Sequence, residues 1–205
     1  MTLLEVCVDS IGALQRAQAR GARRIELCSR LDVGGLSPSA GLLELALAQS
    51  TLPLHVMVRP RAGDFCITTE ELARMRSEIG QLKARKVAGV VFGLLRPDHT
   101  VDADATAELV RAARPLRVTF HRAFDETPDK LAALDALIAL GCERVLTSGG
   151  APTAHEGRFE LRKLVERARG RIVVLAGGGV REHNWRELVR DSGVTEIHSS
   201  TPFAP

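Results

Sequence analysis

The chain has 205 residues, 45% of them apolar and 26% charged, which excludes a disordered segment and gives enough material for one sizeable core. Net charge is only +3, Tyr is absent and aromatics make up 3%, so the basic–aromatic interleaving of a nucleic-acid surface is missing and no nucleic-acid partner is expected. No apolar run approaches the roughly 18 residues of a membrane span, and the opening Met1-Thr2-Leu3-Leu4-Glu5 lacks the basic region and cleavage site of a signal peptide, so the expectation is a cytoplasmic protein without a membrane partner.

Taken in chain order, β-rich runs alternate with helical patterns. The run 3–8 leads into a helix at 11–20, stopped by Gly21. The run 24–28 precedes a helix at 38–50. The run 54–59 precedes a helix at 69–86, where Thr68 can cap and Glu70 and Glu71 would face the positive end of the helix dipole. The run 89–94 precedes 102–113. The run 117–122 precedes 129–140, where Thr127-Pro128-Asp129 suits a helix start and Gly141 a stop. The runs 144–149 and 171–177 precede helices at 157–169 and 182–191, and a last β-rich run covers 196–200.

Strand and helix in repeated alternation predict parallel strands with right-handed crossovers. Eight strands predict an α/β fold, a TIM-like (β/α)8 barrel in a single domain over 1–205. Apolar runs such as Val90-Val91-Phe92 and Ile172-Val173-Val174-Leu175 suit strands covered by helices. An open doubly wound sheet is the alternative, but Cys7-Val8-Asp9-Ser10 stands where a dinucleotide-binding glycine motif would be. Only five residues follow the last run, so the final helix of the pattern is missing from these 205 residues. A second chain or a rearranged helix is expected to cover that seam.

Several strands carry polar residues where apolar ones would be cheaper to bury. With a side-chain period of two, Glu5 and Cys7 share a face, as do Glu26 and Cys28; His55, Met57 and Arg59; and Thr119 and His121. Arg122 falls on the other face or at the rim, and the last run ends in His198-Ser199-Ser200. If these faces point inward, acids, thiols, imidazoles and guanidiniums converge at the barrel mouth. Buried charges must then be paired, and Glu5 or Glu26 with Arg59 would satisfy that. Matching register would also bring the Cys7 and Cys28 sulfurs close, and soft thiolates suit Cu(I) or zinc, with Met57 as a third soft atom; two buried structural cysteines are an equally good reading. The four cysteines, including Cys66 and Cys142, do not form a disulfide framework.

Two glycine-rich turns, Ser148-Gly149-Gly150 and Gly177-Gly178-Gly179, could bring backbone N–H groups to an anion, and phosphate sites of this fold lie in the late loops. Arg59 and Arg61 suit a carboxylate or phosphate. An enzyme acting on a small anionic or phosphate-bearing metabolite would use Arg59 with Glu26 or His121 as acid or base. Glu5, His55, Arg61, Gly177, Gly178, Gly179 and His198 would line the ligand. The basic group Arg16, Arg20, Arg23 and Arg24 reads as the exposed side of the first helix and its exit.

Long stretches of the chain resemble the CutC family: Glu5-Val6-Cys7-Val8-Asp9-Ser10, Arg24-Ile25-Glu26-Leu27-Cys28, His55-Val56-Met57-Val58-Arg59-Pro60-Arg61, Thr119-Phe120-His121-Arg122-Ala123-Phe124-Asp125 and Gly177-Gly178-Gly179-Val180. The resemblance runs the whole chain in order. It implies a TIM-barrel-like fold, a cytoplasmic homo-oligomer (dimer or tetramer), copper homeostasis and Cu(I) binding with Cys7 and Cys28 as ligands. It implies no organic cofactor, and an unidentified enzyme activity has also been suggested for the family's polar cavity.

Overall fold

The protein is described here from a computed structural model, which covers residues 2–204. Eight strands run β1 (Leu3–Val8), β2 (Arg24–Leu27), β3 (Leu54–Met57), β4 (Gly89–Phe92), β5 (Arg117–Phe120), β6 (Arg144–Thr147), β7 (Val173–Gly177) and β8 (Glu196–Ser199). Seven α-helices alternate with them: α1 (Ile11–Ala19), α2 (Ala40–Gln49), α3 (Thr69–Ala84), α4 (Ala103–Ala113), α5 (Lys130–Leu140), α6 (Arg158–Ala168) and α7 (Trp185–Ser192). All eight strands pair in parallel, each with its sequence neighbours, and β8 closes on β1. The expected (β/α)8 barrel is formed, and the open sheet is excluded.

Strand alternation sorts the side chains. Leu4, Val6 and Val8 of β1, Ile25 and Leu27 of β2, and Val90 and Phe92 of β4 turn outward into the main apolar core beneath the helices. Fully burying each such side chain contributes roughly 1.5–3 kcal/mol. The intervening residues face the barrel axis; they include the buried polar ones and a small apolar group of Cys28, Met57 and Val91. Helix starts follow local chemistry. Thr68 accepts from the Glu71 N–H while the Glu71 carboxylate accepts from the Thr68 N–H, the capping box that holds α3. Asp129 caps α5, and Gly141 ends it in the left-handed region.

Two expectations are corrected. The seam between β8 and β1 is not exposed: Leu4, Val6 and Ile197, which turn outward there, are buried, and Phe203 stacks on Trp185 of α7 at 6.4 Å between ring centroids. Arg24 does not lie on the exposed side of α1 or its exit. It belongs to β2, is buried, and pairs inside the barrel with Glu5 and with Glu196 at 2.5 Å. Among the described residues, no helix is long and apolar enough to cross a membrane.

Candidate active site at the strand ends

A cavity of about 570 Å³ opens at the C-terminal ends of the strands, where barrels of this kind carry their function. The register decides what reaches it. Glu5 stands level with Arg24, and Cys7 with Glu26. The two Glu-x-Cys units are therefore offset by two residues, about 6.6 Å along the strands, and the matched register expected for the sulfurs is corrected. Cys7 lines the cavity and donates to the Ser199 carbonyl at 3.7 Å. Cys28 donates to the Val8 carbonyl at 3.6 Å and packs with Met57 and Val91. Burial first, and the Glu26 carboxylate second, push its thiol far above the usual range.

Below the cavity lies a charged layer. Glu5 accepts from Arg24 and exchanges a hydrogen bond with His198 Nδ1 at 2.8 Å. Arg24 and Arg144 share Glu196. Burial opposes ionisation of Glu5, but Arg24 and His198 outweigh it and hold the carboxyl well below its ordinary value. The expected pairing of Glu5 or Glu26 with Arg59 does not occur. The guanidinium of Arg59 is occupied by the carbonyls of Val33, Gly35 and Gly63 and lies over the Phe65 ring, so it orders the loops after β2 and β3 while lining the cavity wall.

Glu26 sits on the cavity floor. Its Oε2 is buried without a partner, and its Oε1 lies 4.0 Å from His198 Nε2. Burial, reinforced by the Glu5 charge, pushes its carboxyl up to about 7 against the pull of His198. Burial disfavours a charged His198, yet the Cys7, Glu26 and Glu5 side chains around it raise its basicity well above the ordinary value. His121 is the opposite case. Burial and the nearby Arg59 push it down to about 3. Its Nδ1 accepts from the Ala123 N–H, which makes it a neutral imidazole with the proton on Nε2. Gly93 leaves the room for that ring; a Cβ there would overlap it.

The two glycine-rich turns separate in function. The turn after β6 already holds an anion: Asp125 accepts from the N–H groups of Ser148 and Gly150 and from the Thr147 and Ser148 hydroxyls. The same carboxylate takes Arg122 Nε at 2.7 Å and aims that guanidinium along the cavity wall. The turn after β7 is open. Gly178 and Gly179 line the cavity with positive φ, and their carbonyls accept from the Ala154 N–H and the Asn184 amide. Among the described residues their own N–H groups have no acceptor. Arg122 and Arg181 both line the wall with them.

Of the residues singled out from the sequence, the fold gathers Cys7, Glu26, Arg59, His121, Gly178, Gly179 and His198 around the cavity. Glu5 and His55 are buried inside the barrel rather than on the cavity wall, and Gly177 is enclosed in β7 beside Leu146. Arg61 is turned away, bonded to Glu71, Asp64 and the Cys66 carbonyl. Arg122 and Arg181 were not among the candidates. The sequence signal for the first was Arg122-x-x-Asp125, an acid placed to aim it; Arg181 carried none beyond following the glycine turn.

The CutC family model matches residues 2–202. A human protein named copper homeostasis protein cutC homolog is 46% identical over 198 residues, which is 97% of this chain and 72% of that protein. A family protein CutC of Vibrio campbellii is 48% identical over 202 residues, 97% of this chain and 81% of its own. A crystal structure of CutC from Streptococcus agalactiae superimposes with a TM-score of 0.92 at 33% identity, covering 98% of this chain and 99% of the other. An aldolase structure at 14% identity and a TM-score of 0.71 shares the fold.

Proposed function

The chain belongs to the CutC family, and from that premise we propose that its strand-end cavity is an enzyme-type site for a small anionic, phosphate- or carboxylate-bearing metabolite. The anionic group sits against Arg122, Arg181 and the N–H groups of Gly178 and Gly179. The other end of the molecule lies over Glu26, His198 and Cys7, and His121 donates a hydrogen bond from the side. The observation that carries this reading is that Arg122, Arg181 and two glycines whose N–H groups have no acceptor among the described residues all line one cavity of about 570 Å³. Backbone N–H groups in a glycine turn and arginine forks are both suited to phosphate and carboxylate oxygens. A bare metal ion needs no space of that size.

A thermal-shift series with inorganic phosphate, sugar phosphates and dicarboxylates tests the proposal. At a hundred times its Kd a ligand stabilises the native state by about 2.7 kcal/mol, which raises Tm by roughly 5–10 °C for a chain of this length. Arg181→Gln should remove most of that shift. The reading falls if no compound in the series stabilises the wild type, or if the variant responds equally.

A second reading follows the names of the relatives, which speak of copper homeostasis. The Cys28 sulfur and the Met57 methyl meet around Gly35, and Cys7 and Met57 both line the cavity. In this reading Cu(I) is the cargo, held by the Cys7 and Cys28 thiolates in a reducing cytoplasm. Anaerobic Cu(I) titration of wild type and Cys7→Ser/Cys28→Ser decides it, with a loss of affinity in the double variant as the expected outcome and equal affinity as the contrary one.

A further inference from the structure

Cys7 Sγ, a Glu26 carboxylate oxygen and a His198 ring nitrogen all lie within 4.8 Å of one another on the cavity floor. Donors around a zinc ion at tetrahedral angles stand about 3.3–3.8 Å apart, so small side-chain rotations would close the three onto one ion. They come from β1, β2 and β8: Cys7 stands level with Glu26, and His198, level with Glu5 two residues below, reaches up to them with its ring. A thiolate, an imidazole and a carboxylate together form the mixed sulfur–nitrogen–oxygen set that zinc accepts.

Two further observations point to a ligand. The Oε2 atom of Glu26 is buried without a hydrogen-bond partner, a costly arrangement unless something occupies its lone pairs. His198 is oriented as a metal-binding histidine is. Its Nδ1 is held by the Glu5 carboxylate at 2.8 Å, which leaves Nε2 turned toward Glu26. A carboxylate behind the far ring nitrogen is the usual support of a ligating imidazole. Glu5 is itself fixed by Arg24, so the support is rigid.

We propose that Cys7, Glu26 and His198 form a three-ligand site for a divalent cation of the zinc type, with its fourth position open to the cavity. Three protein ligands and one open position are the pattern of catalytic rather than structural zinc. The inference rests on the anion reading of the cavity and deepens it: a cation there would polarise a substrate oxygen whose anionic group lies on the Arg122–Arg181 wall. The site shares only Cys7 with the two-thiol arrangement and does not use Cys28.

Co2+ is the probe, because a thiolate bound to it gives a charge-transfer band in the near ultraviolet. Metal-free protein is titrated anaerobically with Co2+ and then with Zn2+ in competition. One equivalent of Co2+ should give the band in wild type and in Cys28→Ser. The band should vanish in Cys7→Ser, and the apparent Kd should rise at least tenfold in Glu26→Gln and in His198→Gln, with circular dichroism confirming that each variant is folded. Absence of the band in wild type, or its loss in Cys28→Ser with retention in Cys7→Ser, overturns the site. Phosphate-induced stabilisation of the metal-free protein is read in parallel. If phosphate binds and Co2+ does not, the metal site alone is refuted; if Co2+ binds as described and phosphate does not, the metal site stands and the anion reading falls.

Discussion

Glu5 shows at the level of one residue what holds the barrel interior together. It is fully buried, and its charge is tolerated because Arg24 and His198 both bond it. Removing one partner of a buried pair leaves the other charge uncompensated, at about 3–5 kcal/mol. Arg24→Met should therefore lower the urea midpoint sharply, since it strands Glu5 and half of the Glu196 interaction. Arg30→Ala breaks an ion pair with Asp32 in which both side chains are about 60% exposed, and water screens such a pair so well that its loss should barely move the midpoint. Equal effects in the two variants would contradict this ordering. Strand alternation made the inward direction of Glu5, Glu26, His55 and His121 legible in the sequence, but not that of Arg24, and not their partners. Alternation gives the face of Glu5 and Glu26, whereas pairing depends on register, and a shift of two residues put Arg24, not Arg59, beside Glu5.

Among the elements, helix caps and strand phases were the most readable parts of the sequence, and ends were the least. The hydroxyl of Thr68 and the carboxylate of Glu71 predicted the start of α3, and both bonds of the capping box form. Thr68→Ala should cost about 1 kcal/mol in chemical denaturation and leave ligand binding unchanged; a loss below a few tenths would mean that the cap is redundant. The run read as 144–149 ends as a strand at Thr147 because Asp125 captures the Ser148 and Gly150 N–H groups. The helix read from 182 starts at Trp185 because the Asn184 amide oxygen takes the Arg181 N–H in a turn. Both endings are set by side chains acting across loops, which periodicity does not report. In β4, Gly89 leaves space for His55: a Cβ there would stand 2.8 Å from the Arg117 carbonyl and from the imidazole. Gly89→Ala should therefore destabilise the barrel more than Thr68→Ala does, read by the same denaturation midpoints.

For the whole molecule, the buried histidines set the response to acid. His55 is pushed down to about 4 by burial and His121 to about 3, so both are neutral in the native state over a range where the unfolded chain protonates them near 6.5. A depressed histidine favours folding above its unfolded value and loses that favour as pH falls. Glu26, raised to about 7, works the other way between about 4.5 and 7, because the native state holds its proton more tightly. Between pH 4.5 and 6.5 the two histidines oppose Glu26 and Glu78, whose carboxyl is also raised by burial, so each contribution is read from its own variant. Each histidine makes stability rise with pH across this window, and each raised carboxyl makes it fall. Denaturation of His121→Gln across this window should show a slope lower than that of the wild type, and Glu26→Gln a higher one; unchanged slopes in both would contradict the assignment. These shifts arise from burial in the closed barrel, which the sequence conveyed only through its eight-fold alternation.

The central claim is that anion-binding groups converge at the strand ends, on the wall formed by Gly178, Gly179, Arg122 and Arg181. Selenate has the shape and charge of a phosphate-like anion and scatters anomalously, so crystals soaked in it locate the site directly. The account predicts an anomalous peak inside the cavity, within hydrogen-bond distance of the Gly178 and Gly179 nitrogens and at least one of the two guanidiniums, and its loss in Arg181→Gln. A cavity without selenate, in crystals that carry it elsewhere on the surface, would contradict the account.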